Sequence, residues 1–380
     1  MFNNATECLA YHELPRPYTN SILWLTASKI TVVLSGISTI MSFQLIYLHS
    51  SHFSTPTLQK YIIRILLMVP YYAILSTLAF WNLKYALYIS IIRDVYEGFV
   101  VWNFLKLFLE YLGPTDSTRM YILSSKTPHM MPPPFCVLKF NPASMLFLSR
   151  CKFGVLQFVL VRLFTSITSL FLEYFKLLCH GNVSPQFGHV YMQTLNSLSM
   201  GMAMFSLVAY YFATRHDISK SSPVSQFMSI KFVIFLQFVL SLVVSFLVSK
   251  AIIKETDDYT IQQFTECLQN FITILNMAIA SIWHQKCFSI QPFINVDDYF
   301  DFQKAIHKVF DLSDLWLDVK LSWNYLSGNL DFSYLDNDST DLLLSSENNE
   351  SIEFPISTEY EQEQMLVSDS QELQVLDTTQ

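Results

Sequence analysis

Charge and glycine are both scarce in this chain. Of 380 residues, 14% are Asp, Glu, Lys or Arg, whereas a soluble globular domain carries about one-quarter. Eight glycines in all make a phosphate-cradling loop implausible, since such loops concentrate glycine. GxSxG and HExxH are missing, so enzyme chemistry has no support. The six cysteines, Cys8, Cys136, Cys151, Cys179, Cys267 and Cys287, make no CxxC pair and no His/Cys ligand cluster, which argues against a zinc or redox site. No metal or cofactor is expected. Basic residues sit in loops beside apolar runs rather than in a patch, so no nucleic-acid partner is expected. The start has no basic region. Glu7, His12, Glu13 and Arg16 precede the first apolar run, which speaks against a cleavable signal peptide.

What is plentiful is apolar side chain: 52% of residues are hydrophobic and 32 are Phe. A bilayer core needs about 20 mostly apolar residues in helix. Seven runs meet that length: 22–48, 61–82, 85–111, 153–178, 187–213, 231–253 and 262–286. In hydrocarbon every backbone group must be paired within its own segment, so these runs read as helices. The expected fold is an all-α polytopic membrane protein with seven transmembrane helices. Charge divides it further. From Phe288 onward there are 3 Lys, no Arg and 19 acids, against 20 basic and 12 acidic residues before it. The expected organisation is a lumenal or extracellular N-terminus (1–21), a membrane domain (22–290), a cytosolic helical segment (291–336) and a disordered acidic tail (337–380), the last too polar to bury a core.

Lys and Arg concentrate in the odd-numbered loops: Lys60; Arg119, Lys126, Lys139, Arg150 and Lys152; Arg215, Lys220 and Lys231. The positive-inside rule then predicts a lumenal or external N-terminus and a cytosolic tail. Two sequons, at Asn4 and Asn182, fall on the outer side and are glycosylation candidates. Cys8 and Cys179 fall there too, so a disulfide between them is open. The loop 112–152, with Pro114, Pro128 and Pro132–Pro134, reads as an extended, ordered or semi-ordered cytosolic loop. Residues 298–312 predict one more helix, with Phe302, Ile306, Val309 and Phe310 on one stripe. It would lie in the cytosolic interface or pack under the bundle, the second being preferred because its charge is not basic.

Charges inside apolar spans are expensive and therefore informative. Arg93, Asp94 and Glu97 lie in the third span. Arg93 and Glu97, four apart, share a face and would form an internal ion pair, with the Tyr96 phenol nearby. The cluster either lines a solute or lipid path or locks the bundle. Arg64 and Pro70 lie on the second span, where Pro70 predicts a kink and a freed carbonyl. Lys29, Gln157, Arg162 and Glu266 are further intramembrane polar groups. His49 and His52 end the first span, as a polar helix end or, less readily, a metal-binding pair.

Four ordered blocks carry a family resemblance: Pro56–Ser76, with Gln59, Lys60, Arg64 and Pro70; Arg93-Asp94-Val-Tyr96-Glu97-Gly-Phe99, followed by Phe104 and Tyr111-Leu-Gly113; Lys152-Phe-Gly154-Val-Leu-Gln157; and Pro223-Val-Ser-Gln-Phe227-Met-Ser-Ile-Lys231. Together they resemble the organic solute transporter alpha / transmembrane protein 184 family over roughly residues 20–290. The resemblance implies seven spans and an outward N-terminus. Known members include a transporter of steroid-like amphipaths, which works with a single-span partner. Others are fungal vacuolar-membrane proteins whose cytosolic tails hold a ubiquitin-like autophagy modifier. The chain departs from the family pattern at Phe238-Val239-Leu240, usually Phe-Trp-Gln, and at Asn276, usually Glu. It also lacks a cysteine cluster in the 112–152 loop. Asn276 keeps a hydrogen-bonding group but no charge.

Two functions follow as expectations. One is recruitment of the autophagy modifier by the tail, at a vacuolar membrane. The other is passage of amphipathic organic solutes past Arg64, Arg93, Asp94, Tyr96, Glu97, Gln157 and Asn276. Modifier binding needs an aromatic, two spacers and an aliphatic in an extended peptide that adds to a sheet edge. Phe332–Leu335 fits, flanked by Asp331, Asp336 and Asp338. Trp316–Val319 and Trp323–Leu326 fit the bare pattern, although Trp316 could instead continue the apolar face of the tail helix.

Overall fold

A computed structural model describes residues 22–130, 139–178, 186–218, 261–294 and 302–326, together with Ser225, Gln226, Met228, Ser229, Phe232, Leu236, Val239, Val243 and Leu247. Asn4, Asn182, Cys8, Cys179, the acidic tail, Phe332 and Leu335 lie outside the described residues.

Among the described residues, the apolar runs are helical over nearly all their length. Helix α1 spans Ile22–Ser51, α2 Pro56–Leu66, α3 Met68–Trp81, α4 Ala86–Leu112, α5 Asp116–Ser124, α6 Met145–Tyr174, α7 Gly188–Thr214, α8 Ile261–Cys287, α9 Gln291–Ile294, α10 Phe302–Phe310 and α11 Ser313–Leu326. The scattered described residues between Ser225 and Leu247 are helical as well. A two-residue antiparallel pairing joins β1, His129–Met130, to β2, Lys139–Phe140.

Among the described residues, four helices are long and apolar enough to cross a bilayer: Trp24–Ser51, Pro56–Trp81, Leu146–Tyr174 and Gly188–Thr214. The protein is an all-α integral membrane protein. Helices α4 and α8, at 27 residues each, are about 40 Å long, enough to cross, but they carry more polar side chains. The chain divides into two compact units, Met1–Trp323 and Asn324–Gln380. Of the second, the described part is the end of α11.

Helix ends follow local chemistry. Pro56 opens α2 at a position where its missing N–H leaves no bond unmade. The buried Gln59 side chain then ties the preceding turn together. It accepts from the Thr55 amide at 2.9 Å and donates to the His52 carbonyl at 2.6 Å. The second span is interrupted at Leu67, three residues before Pro70. Pro70 lies in the first turn of α3, where proline is tolerated. The expected break therefore occurs on its N-terminal side.

The loop 112–152 differs from its expected extended form. Thr115 caps α5 by accepting from the Thr118 amide at 3.3 Å, and α6 starts at Met145, eight residues before the expected span. Arg119 explains the compactness. Its guanidinium donates to the Leu109 and Gly113 carbonyls at 3.0 and 2.7 Å, closing the C-terminus of α4, and pairs with Asp116 at 2.6 Å and Glu110 at 3.0 Å. Cations are favoured at that helix end. Burial lowers the proton affinity of Arg119, but the two carboxylates outweigh it and raise it above the ordinary value. Burial pushes the Asp116 carboxyl up, yet the charges of Lys152 and Arg119 hold it well below the usual carboxylate range.

Contacts along the helices set their directions. Met41 meets Ser281 and Gln285, and His49 Nε2 donates to the Phe288 carbonyl at 3.0 Å. Helices α1 and α8 therefore run parallel. Gly98 of α4 lies against Val159 and Arg162 of α6, while Asp116 reaches Lys152, so α4 and α6 run antiparallel. Glycine is required at Gly154, where an added Cβ would collide with the Ser206 hydroxyl of α7. Small residues at such crossings let membrane helices approach closely.

Candidate functional site

Helix α1 is built inside out. Its buried positions include Ser28, Thr31, Ser35, Ser38, Ser42, Leu45 and His49, while Ile30, Val33, Ile37, Ile40 and Tyr47 are exposed. A helix in water would reverse this. The buried set steps by three and four residues, the spacing of a helix seam. Several of its hydroxyls bond back to their own helix, as Thr31 does to the Ser28 carbonyl at 2.8 Å and Ser38 to that of Leu34 at 2.9 Å. This local bonding lets Ser and Thr enter an apolar bundle.

Helix α8 answers with the same spacing. Gln263, Glu266, Asn270, Thr273, Met277, Ala280 and His284 are all buried, with Asn276 and Ser281 beside them. It packs against both α1 and α3. Buried polar side chains of α1 and α8, joined by Ser76 of α3, thus form a polar seam where the three helices meet, walled by apolar side chains.

Arg93 of α4 reaches into this seam. It donates to the Ser76 hydroxyl of α3 at 2.8 Å and to the Asn270 amide oxygen of α8 at 3.2 Å. Its guanidinium lies 6.0 Å from the centre of the Tyr72 ring, and the Tyr72 hydroxyl donates to the Arg93 carbonyl at 3.2 Å.

The expected Arg93–Glu97 pair is not what forms. Glu97 pairs with Arg162 of α6 at 2.5 Å, and Asp94 approaches the same guanidinium at 3.4 Å. The physical reason is the turn of the helix. Asp94 and Glu97, three apart, both reach the α6 side, while Arg93 is directed to α3 and α8. Arg162 therefore serves two carboxylates, while Arg93 makes its side-chain hydrogen bonds to the neutral acceptors Ser76 and Asn270.

The other expected path residues are placed as follows. Tyr96 donates to the Arg64 carbonyl at 2.8 Å and lies 4.4 Å from the Tyr71 ring. Gln157 donates to the Ser199 carbonyl at 2.9 Å and accepts from the Ser199 hydroxyl at 2.7 Å, joining α6 to α7 away from the seam. Asn276 is buried, and its Nδ2 has no hydrogen-bond partner among the described residues. Both ring nitrogens of the buried His284 are in the same condition. His284, Asn270 and Ser76 were not singled out by the sequence. The three-and-four spacing of Ser and Thr in α1 was the available signal.

Arg64 lies elsewhere and does something else. It donates through Nε to the Val309 carbonyl at 2.7 Å, through Nη1 to Asn103 at 3.2 Å and Asp314 at 2.9 Å, and through Nη2 to the Asp311 carbonyl. Lys60 stands 3.5 Å from Asp314. Asp318 accepts from Lys106 Nζ at 2.9 Å and from Trp102 Nε1 at 2.9 Å. Arg64 thus clamps α10 and α11 onto α2 and α4.

Among the tail motifs, Trp316 and Val319 lie inside helix α11. Leu315 and Val319 pack on the core, whereas Trp316 is 71% exposed. It does not continue the buried face of the tail helix. Trp323 and Leu326 fall in the last turns of the same helix. A helical segment cannot add a strand to a sheet edge without unwinding.

A family model described as organic solute transporter Ostalpha matches residues 27–293. No solved structure matches the chain. The match covers the membrane helices and stops short of α10 and α11, and the chain belongs to that family.

Proposed function

We propose that this member of the organic solute transporter Ostalpha family moves amphipathic organic anions along the polar seam between α1, α3 and α8. The observation that carries this reading is Arg93, a half-buried cation whose acceptors, Ser76 and Asn270, are neutral. A guanidinium hydrogen-bonded to neutral acceptors favours an incoming carboxylate or sulfate, which is the stronger, charge-assisted acceptor. The unpartnered amide of Asn276 and the His284 imidazole offer further hydrogen bonds deeper along α8. The apolar walls suit a steroid-like body. The parallel course of α1 and α8 requires an odd number of crossings between them, which supports seven spans. All the clamps of α5, α10 and α11 lie at one end of the bundle, where loop charge argues for cytosol.

The test is uptake of a tritiated steroid conjugate into vesicles carrying the full chain. Arg93→Gln should lower uptake of an anionic conjugate by about tenfold or more, the loss of one charge-assisted contact of about 1.5–3 kcal/mol. Uptake of a neutral analogue should change little. Equal loss for both would remove Arg93 as an anion site.

The tail supports a second proposal: Phe332–Leu335 recruits a ubiquitin-like autophagy modifier at a vacuolar membrane. The support is the aromatic-x-x-aliphatic spacing among three aspartates. Pull-down of the modifier by the full chain should disappear with Phe332→Ala and Leu335→Ala together. Unchanged capture would sink it.

A further inference from the structure

Helix α10 uses its sides unequally. Ala305 and Val309, four apart, are buried and pack against Phe53 and Ile63 at the end of the bundle. A second row, Phe302, Ile306 and Phe310, is rotated to one side of that contact and is 42%, 38% and 67% exposed. His307 and Lys308 are exposed on the other side. The helix is therefore amphipathic twice: once toward the bundle, and once at right angles to it. The second division has no purpose for a helix merely packed on a protein, since it leaves three large apolar side chains uncovered.

The exposed row is not isolated. The Phe302 ring lies 5.9 Å from that of Tyr47. Tyr47, 60% exposed, ends the outward row Ile30, Val33, Ile37 and Ile40 of α1. That row faces lipid, because α1 crosses the bilayer and buries its hydroxyls instead. Phe302, Ile306 and Phe310 continue the lipid-facing surface of α1 around the corner and along the membrane plane. An aromatic pair at the end of a span is suited to the headgroup level.

We infer that the Phe302–Ile306–Phe310 row is a lipid-binding surface, immersed in the interface at the end of α1, with His307 and Lys308 turned to water. Interfacial helices bury their apolar face about 5–10 Å into the headgroup boundary. The Arg64 clamp would then hold α10 at a fixed depth rather than merely close to the bundle. The contact serves the protein as a rim, coupling lipid to α2 through Val309 and Asp314 and to α4 through Asp318.

Site-specific photocrosslinking in the full chain tests this. A benzophenone amino acid is placed singly at Ile306, Phe310, His307 and Lys308, and at Ile40 as the lipid-facing reference, in native membranes. Lipid adducts are read by mass. The expected result is lipid adducts at 306 and 310, as at Ile40, and their loss at 307 and 308. Protein adducts at 306 and 310 would mean that another protein covers the row, and would overturn the inference. So would lipid adducts at all four α10 positions, or adducts at Ile40 alone. All four α10 positions are exposed, so the probe does not disturb packing. Brominated-lipid quenching of a Phe310→Trp variant, compared with the unaltered chain, gives a second reading: added quenching supports lipid contact, and none refutes it.

Discussion

Replacing Arg64 by alanine should release α10 and α11 while leaving the bundle folded. The side chain is 2% exposed, and its guanidinium closes the last carbonyls of α10 as well as Asp314. Helix-end carbonyls need such partners, and removing one member of a buried, hydrogen-bonded pair costs about 3–5 kcal/mol. Asp314 retains Lys60 at 3.5 Å and is itself 16% exposed, which reduces the figure to about 2–3 kcal/mol. At about 1.4 kcal/mol per decade, the opening constant of this segment rises roughly 30- to 150-fold. Hydrogen exchange followed by mass spectrometry, on the full chain in lipid nanodiscs, reads this directly. Peptides from 302–323 should exchange faster by that factor, while peptides from α1 and α8 keep their protection. Arg64→Lys should fall between, since an ammonium can hold Asp314 but cannot fork to the Val309 and Asp311 carbonyls. Unchanged exchange in 302–323 would refute the clamp. Equal acceleration throughout α1 and α8 would show instead that Arg64 supports the whole bundle.

Acid should open the same segment. Burial pushes the Asp314 carboxyl up, but hydrogen bonds from Arg64 and the charges of Lys60, Arg64 and Lys106 outweigh it and hold it below its ordinary 3.8. A carboxyl depressed in the folded state contributes stability above its unfolded value and loses it as pH falls. Exchange of 302–323, corrected for its intrinsic pH dependence, should therefore stay level from neutral pH to about 5 and accelerate only below about 4; acceleration near pH 6 would contradict this origin. Gly154→Ala should destabilise the protein by about 1–3 kcal/mol through overpacking against Ser206, seen as a lower thermal midpoint in detergent. Adding Ser206→Ala should recover part of the loss, because the hydroxyl is the nearest obstacle and the Ser206 Cβ, at 3.0 Å, remains tight. Gly36→Ala, with nothing within 4 Å of the new methyl, should be neutral, and a loss as large as at Gly154 would discredit the packing argument.

The all-α membrane fold was legible in the sequence because hydrocarbon thickness and backbone hydrogen bonding leave so few alternatives. The helices α1, α4, α7 and α8 begin and end within about three residues of the runs read from hydropathy, the usual precision of boundaries read from sequence. Pro70 announced the break in the second span. The amphipathic stripe announced α10, and the ordered sequence blocks announced the family. The 112–152 loop was misread because its prolines outweighed a quieter signal, Thr115 preceding Asp116 and the apolar run Met145–Leu148. Partner choice was beyond reach. Spacing along one helix offered Arg93 to Glu97, but the low-dielectric interior favours whichever cation can satisfy both carboxylates, and Arg162 lies 65 residues further along the chain. Arg64 looked like a path residue because a charge in an apolar run has no address until its neighbours are known. Only the tertiary structure gave it the carbonyls of α10 and the carboxylate of Asp314. The polar seam lies between these cases. Ser and Thr read as neutral in hydropathy because their hydroxyls bond to their own helix. Their spacing marked one face of α1, but only the packing of α3, α4 and α8 decided that this face looks inward and that Arg93 meets it.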